Sequence, residues 1–223
     1  MTDLRTAIHI CDDWIDIQLP DQETVIAAQM AFAANHHWTE IVPALGSIAV
    51  QFDPAVVSPE EAANIVRDQL DHARSTSDTS QSTINIPVCY DRKLAPDLDH
   101  VADRLGIAPE TLPSWHTSRA QYVAMLGFMP GFAYLDSEEE CPAIGRLSSP
   151  RQLVKAGSVG IIGRQSCIYS FDSPGGWPII GRTPLRLFDP AKEQPALLSP
   201  GQTVRFESIS LAEFENWTRA KDQ

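Results

Sequence analysis

Ser75-Thr76-Ser77-Asp78-Thr79-Ser80-Gln81-Ser82-Thr83 contains no apolar side chain that could anchor it to a core, and the sequence changes in charge and texture across it. It reads as a linker. The expected organisation is therefore two domains, residues 1–83 ending in this linker (75–83) and residues 84–223. A chain of 223 residues has room for two such cores. Residues 1–83 carry 13 acidic and 3 basic side chains, net −10, out of a formal charge of −12 for the whole chain. No basic run exists, so neither nucleic acid nor an anionic membrane is an expected partner. No stretch approaches the roughly 20 apolar residues that span a bilayer, and Met1-Thr2-Asp3-Leu4-Arg5 lacks a secretory pattern, so the expected location is the cytoplasm. Cys11, Cys89, Cys141 and Cys167 are far apart and the His residues lack ligand spacing, which argues against both a disulfide framework and a metal site.

Upstream of the linker, Ala7-Ile8-His9-Ile10 and the alternating Trp14-Ile15-Asp16-Ile17-Gln18-Leu19 read as strands. Asp21 can cap a helix over 22–35, and residues 40–45 and 47–52 form a hairpin turning at Gly46. Ser58-Pro59-Glu60-Glu61 is a capping box with Pro at the first helical position, and Ala62, Val66, Leu70 and Ala73 make one apolar stripe. Strand, helix, two strands, helix is the order of a ferredoxin-like unit, with a closing strand expected beyond the linker.

Downstream, short β runs separated by Gly and Pro predict a β-barrel or sandwich: 84–89, 121–126, 158–162, 166–171, 185–188 and 203–207. Leu98, Val101, Ala102 and Leu105 mark a helix that stops at Gly106, a short helix covers 109–118, and Ser210-Leu211-Ala212-Glu213 caps a last one.

No P-loop or nucleophile elbow is present, and the glycines of Gly157-Ser158-Val159-Gly160-Ile161-Ile162-Gly163 connect strands instead of opening a helix. Three features carry possible chemistry. Gly127, Phe128, Pro130, Gly131 and Phe132 interrupt an aromatic segment, which serves either as a ligand wall or as a buried turn. Ser173, Pro174, Gly175, Gly176 and Trp177 form either an anion-binding nest, with Arg182 clamping a carboxylate, or a Pro/Gly loop plugged by Trp177. His116 is either a proton-transfer group or a residue complementing a helix C-terminus, and Gln165 offers a polar group beside the Gly157–Gly163 segment.

Taken together, Ile86-Pro87-Val88-Cys89-Tyr90-Asp91, His116-Thr117-Ser118, Gly127 to Leu135, Ala156-Gly157-Ser158-Val159-Gly160-Ile161, Ser173-Pro174-Gly175-Gly176-Trp177 and Gly181-Arg182-Thr183-Pro184 resemble the KipI/PxpB family. That family is also called allophanate hydrolase subunit 1 or carboxyltransferase subdomain C. The resemblance implies an α+β chain with a ferredoxin-like N-terminal domain and a cyclophilin-like β-barrel C-terminal domain. It implies the PxpB-type component of an ATP-dependent 5-oxoprolinase, inactive alone, which opens 5-oxo-L-proline to L-glutamate with a KipA/PxpC-like partner and a PxpA-like partner. His116 and Arg182 are then expected to be catalytic, with Gly127, Phe128, Pro130, Gly131, Phe132, Gln165, Ser173, Pro174, Gly175, Gly176 and Trp177 binding a small amide or lactam. ATP is used by the complex, and no metal or biotin site is expected in this chain. The same resemblance leaves open a carboxyltransferase-like component of an allophanate hydrolase or urea amidolyase, and a KipI-like inhibitor of a histidine kinase. Lys155 and Ala133 stand where the family pattern has Pro, which points to a pocket tuned to another small amide.

Overall fold

The computed structural model describes residues 7–73 and 82–221, so most of the predicted linker lies outside the described residues. The chain divides into two compact units between residues 80 and 81. Thr83, read from the sequence as the end of the linker, already begins a strand.

The first unit is built from β1 (Ala7–Cys11), β2 (Trp14–Gln18), α1 (Gln22–Ala33), β3 (Glu40–Ala44), β4 (Ser47–Gln51) and α2 (Pro59–Ala73). Its sheet runs β1-β2-β4-β3, antiparallel throughout. The expected closing strand from beyond the linker is therefore a misreading: β1 occupies that edge, supplied by a tight hairpin with Asp12 at φ 57. Alternation does the rest. Ile15, Ile17, Ile48 and Val50 point to one face, where they pack against Val25, Ala28 and Phe32 of α1 and Ala62 and Val66 of α2. Asp21 caps α1 by accepting from the Thr24 N–H at 2.8 Å. Ser58 and Glu61 cap α2 reciprocally, Glu61 N–H to Ser58 Oγ and Ser58 N–H to Glu61 Oε2.

The second unit contains β5 (Thr83–Cys89), α3 (Leu98–Leu105), a 3-10 turn at Pro109–Thr111, α4 (Leu112–Ser118), β6 (Gln121–Leu126), β7 (Ala133–Asp136), β8 (Arg151–Val154), β9 (Ser158–Ile162), β10 (Gln165–Ile168), β11 (Ser173–Gly175), β12 (Ile179–Arg182), β13 (Thr203–Ile209) and α5 (Leu211–Lys221). Seven strands close a barrel in the order β10-β7-β6-β13-β5-β12-β9, and β8 and β11 form a separate two-stranded ribbon. The seam is parallel, with β13 beside β5 from Thr203↔Thr83 to Ile209↔Cys89.

Every second residue of these strands enters the barrel, including Ile86, Val88, Val123, Leu135, Val159, Ile161, Ile168, Val204 and Phe206. Leu98, Val101 and Ala102 of α3 and Leu112 of α4 join that interior. Residues 185–188, expected as a strand, instead form a loop with one bridge, Phe188↔Ala196, and bury Leu187 in the core. A short apolar run does not distinguish a strand from a core-filling loop.

Candidate functional site

The barrel wall has two faces, and the predicted site residues divide between them. His116 comes from α4 into the interior and is fully buried. Its Nδ1 lies 2.7 Å from the Tyr90 hydroxyl, and its Nε2 lies 3.1 Å from Ser166 Oγ and 3.4 Å from Gln121 Nε2. The ring stacks on Phe206 with centroids 4.5 Å apart. Burial pushes its pKa down to about 3, and the Arg119 charge adds in the same direction, so the imidazole is neutral near pH 7.

The outer face of β12, β9, β10 and β7 carries most of the other predicted residues. Register places Ile179, Gly160, Cys167 and Tyr134 side by side in one outward row. A second row is Arg182 beside Ser158, with Tyr169 next to it through the Tyr169 N–H to Ser158 carbonyl bond at 3.0 Å. Gln165, opposite Ile162, shares this face by alternation with Cys167.

Aromatic side chains cover these rows. Phe132, Tyr169, Trp177, Cys167, Ile179 and Val154 form one buried cluster, with Met129, Tyr134 and Ile162 against it. Phe132 lies 4.8 Å from Tyr134 and 5.0 Å from Tyr169, and the Tyr134 and Trp177 rings are 6.1 Å apart. Trp177 lies over Gly160, where a Cβ would come 2.8 Å from the Trp177 Cβ.

The segment from Gly127 to Phe132 enters this cluster through a strained turn. The Met129 N–H donates to the Gly127 carbonyl at 2.8 Å, which centres a γ-turn on Phe128 at φ 71. A bulky residue in that region is an outlier and marks stored strain. Phe128 is nevertheless 66% exposed, its ring edge-on to Phe132 at 5.4 Å. Gly131 at φ +73 lets the chain pass Leu187 and Phe188, where a Cβ would meet the Phe188 Cβ at 2.8 Å. Pro130 lies between these two turns.

The Gly175-Gly176 doublet is not a nest. Gly175 ends the extended strand β11, and neither glycine has the positive φ that would turn successive N–H groups into one concavity. Gly175 instead makes room for the Tyr169 hydroxyl, which accepts from the Trp177 N–H. Gly176 accepts through its carbonyl from the Leu147 N–H at 2.8 Å and packs near Pro150. Pro174 lies in β11 itself, and the Ser173 hydroxyl is buried without a hydrogen-bond partner.

Arg182 donates from Nε to the Ala156 carbonyl at 2.8 Å, and its guanidinium lies 5.8 Å over the Phe214 ring of α5. Burial lowers its pKa while the Asp172 charge opposes that shift. Asp172 pairs with Lys155 Nζ at 2.7 Å and accepts from the Ala156 N–H. Lys155 thus contributes an ion pair at the edge of this face.

The structure therefore gathers Phe128, Phe132, Gln165, Gly175, Trp177 and Arg182 around the outer face, and it does not bring His116 to them. Ser166, which touches His116, and Cys167, which packs with Trp177, are consecutive residues of one strand and so point to opposite sides of the wall. Sequence reasoning passed over Tyr90 and Ser166 as partners of His116, which they meet from 26 and 50 residues away with no local motif to mark the contacts.

This barrel, with its glycine-lined aromatic outer face, defines a class. A family model described as carboxyltransferase domain, subdomain C and D, matches residues 8–198, and the chain belongs to that family. The KipI/PxpB resemblance read from the motifs holds. Among its relatives, the B subunit of 5-oxoprolinase from Bacillus subtilis (strain 168) is 38% identical over 181 residues, covering 77% of this chain and 75% of that protein. The B subunit of 5-oxoprolinase from Escherichia coli O157:H7 is 48% identical over 123 residues, covering 55% of this chain and 56% of that one. The crystal structure of TTHA0988 superposes with a TM-score of 0.75 at 28% identity, over 92% of this chain and 40% of that chain. No helix among the described residues is long and apolar enough to cross a membrane.

Proposed function

We propose that this chain acts as the PxpB-type component of an ATP-dependent 5-oxoprolinase, a multi-subunit lactam hydrolase of the cytoplasm that opens 5-oxo-L-proline to L-glutamate with PxpC-like and PxpA-like partners. The observation that carries the reading is its 38% identity to a 5-oxoprolinase component across three quarters of that relative. Within it, the first unit is a variant of the ferredoxin-like arrangement with its edge strand taken from the N-terminal side. The second is a cyclophilin-like barrel.

The outer aromatic face is the substrate face in this reading. A lactam carbonyl is a poor electrophile, and opening the ring passes through a state with negative charge on the carbonyl oxygen. The Arg182 guanidinium keeps its Nη groups available after its Nε is used, and it sits in a partly desolvated setting where a positive charge acts strongly. Phe132, Tyr134 and Trp177 exclude water from the ring, and the turns at Phe128 and Gly131 hold the wall in place. His116, neutral and enclosed, holds the barrel interior together.

Transfer of the ATP γ-phosphoryl group to the amide oxygen, with ADP released, would activate the amide, and water attack at the carbonyl carbon would then expel phosphate as the ring opens. The glycines that end the Gly157–Gly163 segment offer no free N–H groups to a phosphate. The Gly157 N–H donates to the Tyr169 carbonyl and the Gly163 N–H to the Ile144 carbonyl, so both are already consumed. ATP therefore binds on a partner protein in this reading.

The test is reconstitution. This chain co-expressed with its PxpA-like and PxpC-like partners should form glutamate from 5-oxo-L-proline only with ATP and only when this chain is present. Arg182→Ala should reduce turnover by about 10² while the complex still assembles. Full turnover without this chain, or turnover of urea with biotin in place of 5-oxoproline, would overturn the reading.

A further inference from the structure

α1 and α2 pack on the same sheet of the first unit, yet their outer faces differ in chemistry. α2 carries Glu60, Glu61, Arg67, Asp68 and Asp71, all exposed, as a surface helix does. α1 has no charged side chain after Glu23, and its only polar residues from there on are Thr24 and Gln29. Val25, Ala28 and Phe32 already supply its core face. On the opposite side, Ala27, Met30, Ala31 and the C-cap residue Ala34 repeat the i, i+3, i+4, i+7 spacing of a packing seam, with Met30 53% exposed.

Beside that seam, a groove of about 640 Å³ runs between the two helices, with Ala31, Ala34, Ile65 and Ala73 as its apolar lining. Four of its polar residues are engaged locally. Asn35 Nδ2 donates to the Ala31 carbonyl at 2.8 Å, and Asn64 Oδ1 accepts from Arg67 at 2.9 Å. Gln69 Oε1 accepts from the Trp38 indole N–H at 2.9 Å, and His72 Nδ1 lies 2.7 Å from the Asp68 carbonyl. Groups held in this way do not converge on a small polar ligand. The alanines instead let another backbone approach closely, and Met30 offers an adaptable apolar contact.

We propose that this groove receives an amphipathic helix of a partner subunit, one whose apolar seam is flanked by Lys and Arg. This names a docking surface within the multi-subunit reading above and rests on it. Charge selects the occupant. Asp68 lines the groove, Asp71 is exposed three residues further along α2, and Glu23 is exposed at the start of α1. Residues 1–83 as a whole hold 13 acidic and 3 basic side chains. A second copy of this chain would set two such charges of the same sign against each other, whereas a basic helix meets complementary potential.

Photo-crosslinking in the full complex with the PxpA-like and PxpC-like partners tests this. With p-benzoylphenylalanine in place of Met30, the crosslink should fall in a helical, Lys/Arg-rich segment of one partner. The double variant Met30→Glu with Ala34→Glu, and separately Asp68→Lys, should each weaken the binding of that partner about tenfold or more in calorimetric titrations. Thermal melts of the free chain check folding, and if the double variant melts early, Asp68→Lys, at a side chain that is 76% exposed, decides alone. No crosslink, a crosslink to a second copy or to an acidic segment, or unchanged affinity in Asp68→Lys would overturn the proposal. The two readings fail separately. An Asp68-dependent assembly without ATP-dependent turnover of 5-oxoproline would sink the enzyme assignment alone, and full turnover with affinity untouched by Asp68→Lys would sink the docking surface alone.

Discussion

Ser166 and Cys167 are neighbours on β10, yet the first lies 3.1 Å from His116 Nε2 inside the barrel and the second packs with Trp177 outside it. One strand therefore separates a closed polar network from the face on which ligand chemistry is assigned. Each side has its own measurable consequences.

On the inner side, His116 has its pKa pushed from 6.5 down to about 3 by burial, with Arg119 contributing. Between those values the unfolded chain binds a proton that the folded barrel does not, so stability is whole above about pH 6.5 and falls as pH drops toward 3. From pH 6.5 to 5 this group accounts for about 2 kcal/mol. Urea melts of His116→Gln should show a less stable protein at pH 7 that loses about 2 kcal/mol less than wild type on moving to pH 5. Identical losses in the two proteins would contradict a neutral buried imidazole.

On the outer side, Gly160 lets Trp177 lie flat on the wall. A Cβ there would stand 2.8 Å from the Trp177 Cβ and 3.0 Å from Cys167 Sγ. Gly160→Ala should cost about 1–3 kcal/mol through overpacking and alter the near-UV circular dichroism of the displaced indole. An unchanged spectrum with unchanged stability would mean that the contact yields without effect.

Phe128 holds a positive φ of 71 in a γ-turn while remaining 66% exposed, so folding gains little from its side chain. Phe128→Gly should leave stability equal or higher by about 1 kcal/mol, and lower the turnover of the complex. A thermal melt that falls sharply would show that the ring is needed for folding and that the strain serves no ligand.

Asp97 fastens the β8–β11 ribbon to the barrel. It accepts from Arg151 Nη1 at 2.8 Å, from Arg151 Nη2 at 2.7 Å and from the Ile179 N–H at 2.6 Å. Asp97→Asn should cost about 2 kcal/mol, and hydrogen exchange should quicken in residues 151–154 and 173–175 ahead of the barrel strands. Uniform exchange across the unit would argue against a local fastening.

Local signals were legible wherever the chain states its own geometry. The Ser58 and Ser210 capping boxes both form, and Gly106 ends α3 at φ 69. The strands at 121–126 and 158–162 match their sequence bounds because their apolar residues outlast the turn signals. What failed depends on which strands pair and which faces pack, and local residue patterns do not state either. β1 takes the sheet edge expected of a later strand because pairing with β2 is the shorter connection. Gly175 and Gly176 looked like a nest because composition does not reveal φ, and their small size serves close packing by Tyr169 and Pro150. His116 stands on the inner side of the wall beside Ser166 because α4 carries it into the barrel, and nothing in the sequence around it states which side of the wall it takes.

The parallel seam between β5 and β13 joins the opening strand of the second unit to its last one, with Thr83 beside Thr203. A nascent barrel leaving the ribosome consequently lacks its closing strand until residues near 209 have emerged, with inward Ile86 and Val88 of β5 missing their β13 neighbours meanwhile. Premature termination anywhere before β13 would then release a chain with two naked edges, β5 and β6.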